Sequence, residues 1–332
     1  YNNVEIPLQV RSTLSYAAKP DRNRLMNLAA DYLTANGFTE IMSNSLTKEA
    51  YYEGLTSYPA ARCVKILNPL SADLNVMRQT LLFNTMEAVQ LNANRRNGSL
   101  KLYEFGNCYS YDEASRDAEK PLSAYSEQYR LAIAVTGTAV PQSWNAKPEA
   151  ASFFTLRAVV EKLLRRFGLD IYALKSEPLQ SDLFGEGMSL WLGGKELLQM
   201  GVVASQIRRT FDLKQEVYYL EMNFDALVKS TRKHRIAFEE LSKFPEVKRD
   251  LALLVDRQVT FAQLRAVALA TERKLLKSVS LFDVYEGDKL PEGKKSYALS
   301  FGLEDKSQTL TDKAIERVMK NLQAQFERQT GA

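Results

Sequence analysis

Apolar positions recur along this chain with two periods, and the changes between them mark its elements. Pro20-Asp21 precedes a run in which Leu25, Leu28, Ala29, Tyr32, Leu33 and Asn36 fall at helical spacing, with Gly37 as the stop. Residues 38–47 read as a strand with Ile41 buried, 64–67 as a short strand, and Asn68-Pro69-Leu70-Ser71 as a turn. A second amphipathic helix is predicted over 81–94; the Asn97-Gly98 turn then leads into a strand over 100–111. The charged run 112–127 reads as a solvated loop, and the alternation over 129–136 predicts a strand. Leu156, Val159, Val160, Leu163, Leu164 and Phe167 make the clearest helix, stopped by Gly168. A hairpin over 189–203 folds at Gly193-Gly194, and 217–224 is a further strand. Helices among strands joined mostly by short turns predict an α+β fold with an antiparallel sheet.

The pattern restarts after a polar run that ends at Pro245. Arg249-Asp250 and an apolar strand over 251–256 follow. A strand opening a new unit after a charged linker is how a domain begins; an edge strand continuing the preceding domain has the same pattern. Thr260 and Gln263 form a capping box for a helix with Phe261, Leu264, Val267 and Ala268 on its face. Strands are predicted over 275–285 and 294–303, joined through Gly287-Asp288 and Pro291-Glu292-Gly293. In the second, Tyr297, Leu299, Phe301 and Leu303 alternate with Ser296, Ala298, Ser300 and Gly302, so one face is large and apolar and the other small and polar. Thr311 starts a helix carrying Ile315, Val318, Met319, Leu322 and Phe326. The order β-α-β-β-α predicts a ferredoxin-like domain lacking its last strand; the chain stops at Gly331-Ala332, where that strand should begin, beside 251–255. Two helices cover one face of such a sheet. The small-residue face should lie open, as in platforms on which single-stranded RNA bases rest.

The chain has 332 residues, too many for one ordinary core and suited to two domains. The expected divisions are a tail of an upstream domain over 1–19, a module over 20–228, a basic linker over 229–237 and a last domain over 238–332. Apolar and charged fractions of 45% and 25% are those of a soluble globular protein. No apolar run approaches the roughly 18 residues of a membrane span, and no membrane partner is expected; the expected compartment is the cytoplasm, from the free cysteines. Tyr1-Asn2-Asn3 is polar and lacks an initiator Met, which reads as a piece of a larger protein. Cys63 and Cys108 are the two cysteines, at neither disulfide-framework nor metal-ligand spacing, and read as free thiols in a reducing compartment. The formal net charge of +4 does not by itself demand nucleic acid. If RNA binds, shape, stacking and a few local contacts must carry much of it.

Reactive constellations fail to assemble, so no catalytic residue and no metal ligand is nominated. His234, the one histidine, sits in a basic stretch with no cysteine or carboxylate at triad or metal spacing and reads as a solvated linker residue. There is no P-loop and no paired-cysteine metal site. Carboxylates are scattered over polar faces, which nominates no general acid or base. Gly185 and Gly187, in Gly185-Glu186-Gly187-Met188-Ser189-Leu190, read as loop rather than as a phosphate cradle.

Several motifs carry a family resemblance. Lys243-Phe244-Pro245 with Arg249-Asp250-Leu251-Ala252 resembles the start of the C-terminal anticodon-binding domain of bacterial phenylalanyl-tRNA synthetase β subunits. Asn68-Pro69-Leu70-Ser71, Met77-Arg78, Leu81-Leu82, Asn92, Arg95 and Leu102-Tyr103-Glu104-Phe105-Gly106 are similar to that subunit's catalytic-like module. So are Ser152-Phe153-Phe154 with Leu156, Glu161 and Leu163-Leu164, and Phe211-Asp212-Leu213 with Val217-Tyr218. Asp283-Val284-Tyr285-Glu286-Gly287, Lys295-Ser296-Tyr297-Ala298 and Thr309-Leu310-Thr311-Asp312 resemble motifs of its last domain, so the likeness covers nearly the whole chain.

The resemblance implies a class II synthetase-like antiparallel sheet with flanking helices over 20–228, shaped like an active site but non-catalytic. A ferredoxin-like anticodon-binding domain should follow over 238–332. It further implies a C-terminal part of the β subunit of phenylalanine–tRNA ligase, giving scaffold and anticodon contacts for ATP-dependent charging of tRNA(Phe). Catalysis would lie in the α subunit, within a heterotetramer of two α and two β subunits. ATP and Mg would serve the whole enzyme, with no cofactor in this piece. By resemblance Tyr285 stacks on an anticodon base, Ser296 donates to or accepts from a base edge, and Ala252 leaves room for a base. The residues alone also allow Tyr285 as a partly buried strand-end tyrosine and Ser296 as a solvated strand residue. The helix over 21–36 should present a second face to the α subunit, though its pattern alone is that of a core helix. Three departures stand out. Met188-Ser189 occupies a place where adenylate chemistry needs charge. Gly201-Val202-Val203-Ala204-Ser205 replaces the family's Gly-Glu-Val/Leu-His-Pro. Glu286 replaces an Arg. The rival readings are an active class II ligase and an amino-acid-sensing regulatory module.

Overall fold

The computed structural model describes residues 3, 8–9, 12–16, 20–69, 71–233, 237–238, 240–287 and 289–331. Leu70, His234 and Asp288, expected in a turn, a linker and a strand connection, lie outside them, as does most of the expected tail. The chain forms two compact units, Tyr1–Arg235 and Ile236–Ala332.

In the first unit Asp21 caps α1 (Arg22–Ala35), accepting from the Asn23 and Arg24 amides at 2.9 and 3.3 Å, and Gly37 at φ +80° turns the chain beyond it. The single strand expected over 38–47 is instead β1 (Thr39–Glu40) and β2 (Leu46–Thr47), and Ile41 is only half-buried. The Glu104 carboxylate pulls the chain off the sheet between them, accepting from the Ser43 amide at 3.1 Å and its hydroxyl at 2.9 Å. β3 (Val64–Lys65), which ends two residues short of expectation, and β4 (Val76–Met77) join β2 in a small sheet. α2 (Leu82–Asn94) follows.

β5 (Leu100–Tyr111) and β6 (Tyr125–Thr136) pair over their whole length, from Leu100 opposite Thr136 to Tyr111 opposite Tyr125. Residues 125–127, expected in the solvated loop, are therefore strand. They are exposed on both faces, so no apolar alternation reveals them. β7 (Thr138–Val140) and β8 (Glu149–Ala150) form a ribbon before α3 (Phe153–Arg166). The rest is β9 (Lys175–Pro178), β10 (Phe184–Leu192), β11 (Lys195–Val203), α4 (Ser205–Thr210), β12 (Val217–Asn223) and α5 (Phe224–Ser230). Lys229 and Ser230 thus close a helix instead of opening a linker. Gly185 and Gly187 are strand residues, not loop. A Cβ on Gly187 would stand 2.6 Å from the Met200 carbonyl oxygen and one on Gly201 2.2 Å from that of Glu186, so the hairpin needs glycine at both places.

The main sheet runs β1-β5-β6-β12-β11-β10-β9, antiparallel except for β1 beside β5. One face, with Leu131, Ile133, Leu220 and Met222, packs on Leu33 of α1, Leu156 and Val160 of α3 and Phe224 of α5. The other, with Leu102, Ala134, Val217 and Tyr219, meets Leu82, Phe83 and Met86 of α2.

The second unit consists of β13 (Val247–Asp256), α6 (Phe261–Thr271), β14 (Leu276–Tyr285), β15 (Lys294–Leu303) and α7 (Asp312–Thr330). The capping box opens α6: Gln263 Oε1 accepts from the Thr260 amide at 2.8 Å, and Thr260 Oγ1 from the Gln263 amide at 3.3 Å. The sheet order is β13-β15-β14, antiparallel throughout, with β15 central. β13 starts four residues before the apolar run that announced it. Its first half, 247–250, is charged because most of it faces solvent. Leu299, Phe301 and Leu303 are wholly buried against Leu264 and Ala268 of α6 and Val318, Leu322 and Phe326 of α7. Each such side chain contributes about 1.5–3 kcal/mol. Among the described residues no helix is long and apolar enough to cross a membrane.

Candidate nucleic-acid interface

Helices α6 and α7 lie against one face of the three-stranded sheet; register fixes what remains on the other. Residues directly opposite one another in an antiparallel pair share a face. On β15, Ser296 stands between Leu254 of β13 and Tyr285 of β14, and Ala298 between Ala252 and Asp283. Ser300 follows between Asp250 and Ser280, and Gly302 between Lys248 and Ser278. Ala252, Ser296 and Tyr285, named from sequence, therefore sit on the same open face, on three different strands. Tyr285 is 42% exposed and Ala252 is exposed, while Ser296, in the central strand, is half-buried.

The ring of Tyr285 does not stand free. A Cβ built on Gly287 would fall 2.3 Å from its Oη and 2.4 Å from its Cζ, so the ring lies across a position that only glycine leaves vacant. This gives the Tyr-x-Gly spacing a physical reason. A bulge between Leu281 and Asp283 helps to set the register, with Phe282 as the extra, exposed residue.

Three residues of this face escaped the sequence reading as site members. Leu254, 40% exposed, was hidden in an apolar run that reads as core. Asp283 was visible only as part of a motif, yet it places an exposed carboxylate opposite Ala298. Gly287 has no side chain to announce it. Charge on the face is mixed: Lys248 at one end, Asp250 and Asp283 along it, and Glu246 accepting from the Ser278 hydroxyl at 3.2 Å. Such a surface can stack flat rings and exchange hydrogen bonds, but it does not concentrate positive charge on a phosphate backbone.

The first unit offers a contrasting surface, the α2 side of its main sheet. Glu104, Ala132 and Glu221 form one row across β5, β6 and β12, and Gly106, Arg130 and Asn223 the next. Both arginines here are matched to carboxylates. Arg78 Nη1 reaches Glu104 at 2.7 Å with both side chains almost wholly buried, and Arg78 Nε donates to the Asn107 carbonyl at 3.0 Å. Arg130 donates to Glu221, whose second oxygen accepts from the Thr80 and Tyr219 hydroxyls and the Leu81 amide. Burial opposes ionisation of Glu221, but the Arg130 charge and those hydroxyl bonds outweigh it and hold the carboxyl below its ordinary range. Burial pushes the Tyr58 hydroxyl up to about 12 despite Arg130 beside it. Arginines neutralised in this way leave no net positive charge to hold a nucleotide triphosphate. Ser189 is buried, its hydroxyl accepting from the Trp191 indole at 2.9 Å, so β10 supplies no charge there either. Cys63 and Cys108 are buried free thiols, both pushed up by burial. Among the described residues no three His, Cys, Asp or Glu side chains converge to hold a metal ion.

The family profile described as the phenylalanyl tRNA synthetase beta chain CLM domain matches residues 6–224, and that of the ferredoxin-fold anticodon binding domain matches 242–332. A phenylalanine–tRNA ligase beta subunit of Bacteroides fragilis is 49% identical over all of this chain and 41% of its own length. That of Porphyromonas gingivalis is 42% identical over the same shares. That of Geobacillus kaustophilus is 32% identical over 91% of this chain and 36% of its own. The chain spans about two fifths of the length of these curated relatives. With the two profiles in sequence order and these relatives matching all or nine tenths of the chain, the chain belongs to the phenylalanyl-tRNA synthetase β-chain family.

Proposed function

We propose that this chain is the C-terminal part of a phenylalanine–tRNA ligase β subunit, and that it contributes scaffold and anticodon recognition to the ATP-dependent charging of tRNA(Phe). The observation that carries the reading is the half-covered sheet of residues 247–303, on which Ala252, Ser296 and Tyr285 share the uncovered face. In this reading a base stacks on the Tyr285 ring. Ser296 Oγ and the Asp283 carboxylate exchange hydrogen bonds with base edges, and Ala252 leaves the base room to lie close. The stretch 238–332 acts as the anticodon domain, and 20–228 as a non-catalytic synthetase-like module.

Chemistry is assigned to a partner α subunit in a cytoplasmic heterotetramer of two α and two β subunits. ATP and Mg are assigned there: on the α2 side of this chain's main sheet the Arg78 and Arg130 charges are neutralised by Glu104 and Glu221, and among the described residues no three metal-binding side chains converge, a lining that suits neither a triphosphate nor a metal. Helix α1 is assigned to the subunit contact; only Ala29 and Leu33 are fully buried on it, while Leu25, Met26 and Leu28 stay half-buried.

The test is calorimetry of the chain with a tRNA(Phe) anticodon stem-loop and, separately, with phenylalanine. Stem-loop binding that Tyr285→Ala weakens by about 1–3 kcal/mol supports the reading. Phenylalanine binding to 238–332 with no stem-loop binding replaces it with an amino-acid sensor. Phenylalanine-dependent ATP–pyrophosphate exchange by the pure chain refutes the non-catalytic assignment.

A further inference from the structure

The α2 side of the main sheet is not filled. Between the segment carrying Tyr58 and the strands β6, β11 and β12 lies a cavity of about 270 Å³. Sites for drug-sized ligands run to about 300–1,000 Å³, so this one suits a smaller molecule. Its wall is fixed: the Asp182 carboxylate accepts from the Thr56 hydroxyl at 2.9 Å and the Ser57 amide at 3.3 Å, tying the Tyr58 segment to the residues before β10.

The orientation of each polar group in the lining is set by a bond it makes outside the cavity or with a neighbour. Asn223 caps α5 with Oδ1 accepting from the Ala226 amide at 2.9 Å, which makes its NH₂ the end left for a ligand. Gln199 spends its NH₂ on both Glu196 oxygens, at 2.9 and 3.0 Å, which leaves its Oε1 as an acceptor. Arg130 donates to the Tyr58 hydroxyl at 3.1 Å, to Gln128 at 3.0 Å and to Glu221, three of the five N–H bonds of a guanidinium. Arg130 and Glu221 cancel in charge, and among the described lining residues Glu196 has no counter-charge. The lining thus has N–H donors from Arg130 and Asn223, acceptors from Glu196 and Gln199, and a net negative charge. Leu197 and the Tyr58 ring supply its apolar surface.

We propose that this cavity binds a small polar zwitterion of free-amino-acid size, its carboxylate on Arg130 and Asn223 and its ammonium on Glu196 and Gln199. A dianion is disfavoured by the Glu196 charge. A ligand with a large apolar side chain would bury these amides and carboxylates without bonding them. The site is independent of the open sheet face in the second unit.

The full chain is titrated by calorimetry with L-glutamine, glutarate and L-phenylalanine as probes. Saturable glutamine binding is expected, with glutarate and phenylalanine weaker by about tenfold or more. Glu196→Gln, a nearly isosteric change at a half-buried hairpin position, should cost glutamine about tenfold and narrow its margin over glutarate. Gln199→Met, which removes the amide at nearly unchanged side-chain length, should abolish glutamine binding. Urea unfolding of both variants serves as the folding control, and anticodon stem-loop affinity should be unchanged in both. No saturable glutamine binding, binding unaffected by both substitutions, or tighter binding of phenylalanine than of glutamine would overturn the proposal and leave a water-filled cavity.

Discussion

Gly287→Ala separates the position of the Tyr285 ring from its presence. The added methyl carbon would fall 2.4 Å from Cζ and 2.3 Å from Oη of the ring. Carbon atoms settle at about 3.5–4.0 Å, so the ring must move by more than about 1 Å. The backbone is not the obstacle, because Gly287 is not among the glycines at positive φ. Nor is the ring held: it is 42% exposed and lies at the end of a rotatable side chain. Stability should therefore change by no more than about 0.5 kcal/mol, the usual range for surface substitutions. Binding should suffer more. If a base stacks on the ring where it now lies, displacement forfeits much of the about 1–3 kcal/mol that a stacking aromatic contributes. The assay is anticodon stem-loop affinity by calorimetry for Gly287→Ala, Tyr285→Ala and the double variant, each with a urea midpoint. Because both single changes act on one contact, the double variant should bind no more weakly than Tyr285→Ala. Full affinity in Gly287→Ala beside a loss in Tyr285→Ala would show that the ring's resting place is irrelevant. Additive losses would show that Gly287 acts by another route.

The remaining expectations concern the scaffold and the ionic character of the interface. Glu221→Gln leaves Arg130 buried without its counter-charge and should cost about 3–5 kcal/mol in urea unfolding; a cost below about 1 kcal/mol would mean that the pair is not a buried pair in solution. Since the folded Glu221 carboxyl lies below its ordinary value, its contribution is fully present above the unfolded pKa of about 4.3. It is lost as pH falls through the lower folded value, so wild type should destabilise more steeply than Glu221→Gln in that acid window. Phe301→Ala, beneath α7 with its ring 6.0 Å from that of Phe326, should cost the second unit about 3–5 kcal/mol, read from thermal unfolding. Stem-loop affinity should fall less than about threefold between roughly 50 and 200 mM salt, because Lys248 is the cation that β13 adds to the face while Asp250 and Asp283 oppose it; a steep slope would place the main contacts elsewhere.

Much of the second unit was legible because its chemistry is local. The alternation from Ser296 to Leu303 assigns one face to helices and one to solvent, and Thr260 with Gln263 marks where α6 starts. The first unit was less so. Its 38–47 stretch alternates like a strand, and only Glu104, distant in sequence, draws Ser43 away and splits it. The first residues of β6 face water on both sides, so hydrogen bonds to β5 make them strand without leaving a hydrophobic trace. Gly187 looks like a loop residue until its strand is laid against the one carrying Gly201, when each glycine proves necessary to the other. On the open face Tyr285, Ser296 and Ala252 came from family motifs, whereas Leu254 shows itself only through register. Gly287 needed coordinates, since what matters there is empty space.

The mixed charge of that face has a kinetic corollary. An aromatic plate edged by serines and carboxylates can discriminate among bases, yet it lacks the long-range pull that speeds encounter and prolongs residence on RNA. Contacts there would form without electrostatic steering and be released quickly. If the face serves the proposed anticodon role, a wrong tRNA would be dropped without slowing the next arrival, and the correct one would be retained by contacts to its backbone elsewhere.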